Sequence, residues 1–387
     1  MTPSEISRRT VLQYGGAAMA GLSVLRVTGP AHAFQGESGA EVIPWLDQPE
    51  PNPVPEVIVQ QLEWEQLDSW LTPPDQFFVI KHYNEPALSE SDWQLEIDGL
   101  VARPMTLTLA DLRARARREA TFTMECSGNT GLPFFNGGVG NATWAGVSLA
   151  SLLDEAGVLE QGSEVIFWGA DAGEQTWLEM TITEQFARSM SLADAMGADN
   201  LLAYEMNGAP LPSLHGFPAR LIAPGWYGVA NVKWLTRIEV TDRRYQGHFM
   251  ARDYVTIREE ERGGETAWTF TSVTHDRLKS APAKVTKQGD QYTIMGAAWG
   301  APIAGVEVQI DDEPWQPATL TEGAGSEFAW AFWSIDWGTP APGEHTVTSR
   351  AIDLTGEVQP TLDEPFLADK KTFWESNGQI TRRVRLA

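Results

Sequence analysis

The stretch 203-AYEMNGAPLPSLHGFPARLIAPGWYGVANVKW-234 decides how this chain is read. It opens on the end of a strand, because residues 201–206 (LLAYEM) are apolar and Asn207-Gly208 behind them is a turn dipeptide. Beyond that turn, glycine and proline recur every few residues, so the backbone reverses repeatedly and can wrap around a ligand. The same segment carries His215, Arg220 and Lys233. These read either as three unrelated surface charges or as a converging anion site. The chain has a net charge of −24, so any local gathering of basic groups stands out.

That acidity argues against nucleic acid or an anionic membrane as partner. A length of 387 residues allows a large core and about two domains. Sixteen tryptophans suggest aromatic-rich β structure or a lined cavity. The N-terminus, 7-SRRTVLQYGGAAMAGLSVLRVTGPAHA-33, sets two adjacent arginines before a weakly apolar Gly/Ala run and ends in an A-x-A cleavage pattern. Arg8-Arg9 with Leu12 resembles a twin-arginine signal, whose machinery exports proteins already folded, commonly around a cofactor. Residues 1–33 are therefore expected to be removed and the mature protein to be periplasmic. No later segment has the roughly 18 uninterrupted apolar residues a spanning helix needs, so a soluble protein is expected.

Residues 34–75 are rich in Pro and Glu and read as an extended lead-in with little core of its own. Strands and helices mix over 76–262. Strand-like runs fall at 93–99, 121–125, 164–170, 201–206, 219–224 and 232–240. Thr108 and Asp111 start a helix expected over 109–119; Ser148 opens a second over 149–156, stopped by Gly157. Strand-like runs at 291–299, 305–311, 328–337 and 345–353 predict a β-sandwich over 263–387, with the boundary in 263-GGETAW-268. The expected fold class is α+β.

Cys126, in 121-TFTMECSGNTG-131, is the chain's only cysteine. That excludes an intramolecular disulfide, an iron–sulfur cluster and a CxxCH haem attachment site. The six histidines form no H-x-x-x-H pair, so no zincin-like site is present. Cys126 reads as a buried structural thiol, as a nucleophile paired with His82 or His215, or as a thiolate for a soft metal. A strand end over a glycine-rich loop suits the last reading, since the backbone there permits close approach.

The segments MECSGN (124–129), LLAYEMNGAPLP…HGFPARLIAPGWYGVANVKWL (201–235) and RDY (252–254) together resemble the sulfite oxidase family of molybdenum enzymes. The resemblance runs from about residue 76 onward. It implies a domain over 76–262 that binds a molybdenum–molybdopterin cofactor, one per chain, followed by an immunoglobulin-like domain over 263–387 of the kind used for homodimerisation. Cys126 matches the metal ligand. His82 matches a contact to the pterin and its phosphate, Asp171 in GADAG an acidic pterin contact, and His215, Arg220 and Lys233 the phosphate and pterin contacts. Tyr254 matches a tyrosine beside the metal. Lys81 stands next to His82 and is taken as a further basic contact.

The family's substrate arginines are not matched. Ile80 stands where FFVRNH has arginine, Gly131 where one follows the cysteine loop, and Ala331 where the sandwich motif WAWRLW has one. The loss of such residues removes about 1.5–3 kcal/mol per charged hydrogen bond to an oxyanion. The resemblance thus implies a two-electron oxygen-atom transfer on sulfite or another small sulfur compound, with weak sulfite turnover. No haem segment is recognisable, so electrons would leave to a separate carrier such as a c-type cytochrome. Reduction of sulfoxide-type substrates and a non-catalytic, cofactor-binding subunit are the alternatives.

Overall fold

The run Leu201–Met206 is apolar except for Glu205, which pairs with Arg117, because both faces of its strand are covered. Leu202 and Tyr204 pack into one core with Phe167 and Leu221, while Leu201, Ala203 and Met206 point the other way and pack with Phe77 and Trp144. The structure, a computed structural model, describes residues 39–387; the expected export signal at 1–33 lies outside the described residues. Leu201–Met206 pairs antiparallel with Val139–Ser148, Arg220–Ile222 and Ala209–Pro210, and Arg117–Glu125 borders Val139–Ser148. A second sheet runs in the order Met105–Leu107, Leu95–Gly99, Leu235–Thr241, Glu164–Trp177, Met180–Ser191. Within it only Leu235–Thr241 and Leu95–Gly99 are parallel. The largest core joins the two sheets through Ile97, Phe167 and Ile238 on one side and Val147, Leu202 and Leu221 on the other.

The helix Leu149–Ala156 has the expected limits: the Ser148 side chain accepts from Ser151 N, and Gly157 closes it at a positive φ of 71°. The helix expected over 109–119 stops at Arg113, although Thr108 and Asp111 do form a capping box. Its second half is strand, because Arg117–Glu119 take register positions opposite Val147–Ala145. Described helices are few and short, so the fold is strand-rich rather than evenly α+β. No helix among the described residues is long and apolar enough to cross a membrane.

The boundary expected in 263–268 falls inside a paired hairpin. Val255–Arg262 and Glu265–Ser272 are antiparallel partners, and Gly263-Gly264, at φ 65° and 86°, make the turn between them. Beyond it, a five-stranded antiparallel sheet built around Lys279–Gln288, Gln291–Trp299 and Ala331–Gly338 faces a four-stranded one built around Ile303–Ile310, Gly343–Asp353 and Ile380–Leu386. Val285, Ile294 and Trp333 meet Val306, Val347 and Val384 in the core between them. The lead-in is extended but feeds these cores. Glu41–Ile43 is an edge strand on Lys279–Gln288, Trp45 enters the sandwich core, and Leu62, Trp64 and Leu67 pack with Trp299 and Trp330. The described residues form one compact unit.

Candidate active site

One cavity is lined by His82, Cys126, Asp171, His215, Arg220, Lys233 and Tyr254. Seven of the residues singled out in the sequence therefore converge. Lys81 is not among the lining residues; its backbone N–H is tied to Val57 O at 2.8 Å, beside the short strand Val79–Ile80. Of the three positions expected to carry arginine, only Ile80 faces the cavity. Ala331 is wholly buried in the sandwich opposite Ala298. A Cβ on Gly131 would lie 2.0 Å from the Phe373 carbonyl oxygen, so that position admits no side chain without a backbone shift.

Cys126 follows directly on the strand Arg117–Glu125, and its N–H donates to Gly138 O at 2.7 Å. Its thiol is free, and burial pushes it up to about 12. The glycine- and proline-rich segment 203–234 supplies the cationic wall. Ser213–His215 forms a single tight turn, Gly216 reverses the chain at φ 103°, and Arg220 enters the sheet opposite Ala203. His215 Nε2 meets Pro74 O at 2.8 Å, so Nε2 carries the proton, and burial holds its charged form down to about 4. Arg220 donates to His215 O at 3.0 Å and Asn231 O at 2.8 Å and lies 4.8 Å from the Trp144 ring centre. Lys233 Nζ donates to Ile80 O and Leu214 O, both at 3.0 Å.

Burial and mutual repulsion tax these charges. Arg220 is pushed down to about 9 by burial, and Lys233 to about 7 by burial and then by Arg220. Asp171 is raised to about 6 by burial. Two buried polar atoms in the wall, Asp171 Oδ1 and Arg220 Nε, have no partner. A cavity with an orphaned acceptor, an orphaned donor and two cations depressed by burial fits an anionic ligand that also carries hydrogen-bonding heteroatoms. A pterin phosphate has that chemistry, and the residues fit it.

Beside Cys126, Tyr254 Oη lies 2.6 Å from His82 Nε2. His82 is lowered to about 3 by burial and then by Lys233, and Tyr254 is raised well above its usual value by burial. At neutral pH both are uncharged and share one hydrogen bond. Tyr254 adopts φ 58°, a conformation non-glycine residues seldom take, and its ring stacks on Trp374 at 4.3 Å. Trp374 had no signal in the sequence, because it reaches the site from the far end of the chain. Among the described residues no group of three or more His, Cys, Asp or Glu is arranged to hold a metal.

Residues 82–249 match the oxidoreductase molybdopterin binding domain family. The site and the match together define a molybdopterin-type oxidoreductase domain. The chain is 32% identical to chicken (Gallus gallus) sulfite oxidase over 342 residues, covering 81% of this chain and 72% of that protein. It is 32% identical to the mitochondrial sulfite oxidase of Drosophila melanogaster over 327 residues, covering 76% of this chain but 56% of the fly protein. The chain thus spans little more than half of some relatives. The crystal structure of the sulfane dehydrogenase SoxCD from Paracoccus pantotrophus is similar over the full length of both chains, with a TM-score of 0.74 and 26% identity. The chain belongs to the sulfite oxidase family.

Proposed function

We propose that this chain is an exported, periplasmic molybdenum oxidoreductase that oxidises a small sulfur compound of low charge. The observation that carries this reading is the single cavity shared by the Cys126 thiol, Tyr254 and the His215, Arg220 and Lys233 wall. Molybdenum–molybdopterin, once bound, supplies a two-electron centre able to exchange an oxygen atom. Cys126 would hold the metal as thiolate, which a bound cation stabilises against the burial that otherwise keeps the thiol protonated. Arg220 and Lys233 would hold the phosphate, and Asp171 Oδ1 would accept from the pterin.

The balance of the reaction is that substrate and water give the oxygenated product, two protons and two electrons. Tyr254 and His82 stand where a proton is handled. The phenol keeps its proton at neutral pH, and His82 Nε2 either takes the O–H hydrogen bond or donates to Oη according to its tautomer. The electrons leave singly to a separate carrier of the c-type cytochrome class. The sandwich over 279–386 is read as the immunoglobulin-like, dimer-forming module, and residues 1–33 as the twin-arginine signal that directs export.

Two observations favour a substrate other than sulfite. Ile80, an apolar residue, occupies the one cavity-facing position of the three where the family has arginine, and a structural neighbour similar over its full length is a sulfane dehydrogenase. A doubly charged oxyanion would meet an uncharged wall there. Loaded protein assayed against sulfite, sulfane-sulfur compounds and sulfoxides distinguishes the readings. Oxidation of an uncharged or sulfane-type substrate well above sulfite is expected. Sulfite turnover with a half-saturation constant of about 1–10 μM would contradict the substrate reading, and turnover of sulfoxides alone would reverse its direction.

A further inference from the structure

Immediately before Cys126, Glu125 ends its strand with a side chain that is 0% exposed. Three buried donors converge on its carboxylate: Lys279 Nζ at 2.5 Å, Asn129 Nδ2 at 2.8 Å and Trp299 Nε1 at 3.0 Å. Lys279 and Trp299 are register partners on neighbouring strands of the sandwich. Asn129 lies on the turn after the cysteine, where its Oδ1 accepts from Gly138 N at 3.0 Å, and Gly138 O in turn accepts from Cys126 N at 2.7 Å. One carboxylate therefore ties the sandwich to the turn that presents the thiol. The same loop is gripped twice more from the C-terminal segment: Glu375 N donates to Ser127 O at 2.7 Å and Thr130 Oγ1 to Ser376 O at 3.2 Å.

A buried ion pair is a poor way to gain stability, because desolvating both charges offsets most of their attraction. What it does provide is a fixed geometry, since each partner tolerates few positions once water is excluded. Glu125 lies one peptide from the only thiol in the cavity, so small displacements of its backbone are passed directly to Cys126.

We propose that Glu125 is a positioning residue, anchored by Lys279 and Trp299 of the sandwich, that fixes the 126–131 loop and with it the Cys126 thiol. The consequence for chemistry rests on the function proposed above; the positioning itself does not. Glu125→Gln keeps the shape but leaves Lys279 without its counter-charge. Hydrogen exchange on the full chain, far below its melting temperature, reads the effect. Amides of residues 126–131 are expected to exchange about ten-fold faster or more, while those of the helix Leu149–Ala156 keep their wild-type rates.

Ile294→Ala, in the sandwich core away from Glu125, is the control for general destabilisation; its 126–131 amides should exchange as in wild type. Should Glu125→Gln fail to fold, Trp299→Phe removes the indole N–H donor together with part of a ring packed on Trp64, a core loss for which Ile294→Ala is the control. It is expected to accelerate the same amides about three-fold. In molybdenum-loaded protein the visible absorption of the centre should shift in the Glu125 and Trp299 variants and stay unchanged in Ile294→Ala. Unchanged loop exchange in both site variants, or equal acceleration in the control, would overturn the proposal. A chain that carries no molybdenum would contradict the proposed function and leave the exchange result standing.

Discussion

Cys126 and Lys233 line the same cavity, and the role proposed for each has its own test. Cys126→Ser exchanges a soft thiolate donor for a hydroxyl that does not ionise at neutral pH, so turnover should fall below detection whatever the substrate. An active serine variant would remove Cys126 from the metal. Lys233, pushed down to about 7, gives the site a pH dependence. In the empty protein the unfolded chain holds this proton more tightly than the folded one, so the cost of burying Lys233 is full below pH 7 and shrinks as pH rises toward its ordinary value. An anionic cofactor reverses the preference by favouring the charged amine. Cofactor retention should therefore weaken between about pH 7 and 9, and Lys233→Met should flatten the profile; dialysis followed by pterin fluorescence checks both. That these residues share a cavity was legible only in part: a lone thiol on a strand end and bases in a glycine-rich wrap each left a structural reading open, and the family resemblance supplied the roles. Glu125, Lys279 and Trp299 were not legible. Their contacts span 154 and 174 positions, and a buried ion pair has no local pattern to announce it.

At the scale of elements, what could be read was what local physics decides. Ser148 and Gly157 bracket the helix Leu149–Ala156, and the largely apolar run Leu201–Met206 is one strand with both faces covered. Residues 114–119 misled because arginine and alanine favour helix, yet pairing with Val139–Ser148 claims Arg117–Glu119. The Gly263-Gly264 pair misled in the opposite way, since a hairpin turn and a linker use the same residues. Gly131 carries a prediction at this scale. It sits where the C-terminal segment crosses the cysteine loop, and a Cβ added there would come within 2.0 Å of the Phe373 oxygen. Gly131→Ala should destabilise the protein by about 2 kcal/mol or more through that overlap, read as a lower melting temperature. A neutral substitution would mean that the two segments can separate at little cost.

For the molecule as a whole, the site is a product of both halves. The first sheet supplies the thiol, the looped segment from Pro212 to Trp234 supplies the cationic wall, and the sandwich braces the cysteine loop from behind. The strongly acidic chain concentrates buried cations where an anionic cofactor would sit, which length and net charge alone could not locate. The central claim is that this cavity holds a molybdenum–pterin group through Cys126 and the His215, Arg220 and Lys233 wall. It is tested most directly by measuring molybdenum and pterin per chain in protein produced with cofactor synthesis and export intact, beside the double variant Arg220→Met/Lys233→Met. The account predicts close to one of each per wild-type chain and a loss of both of about ten-fold or more in the variant. A folded wild-type chain with neither would contradict it, as would a variant that keeps its full complement.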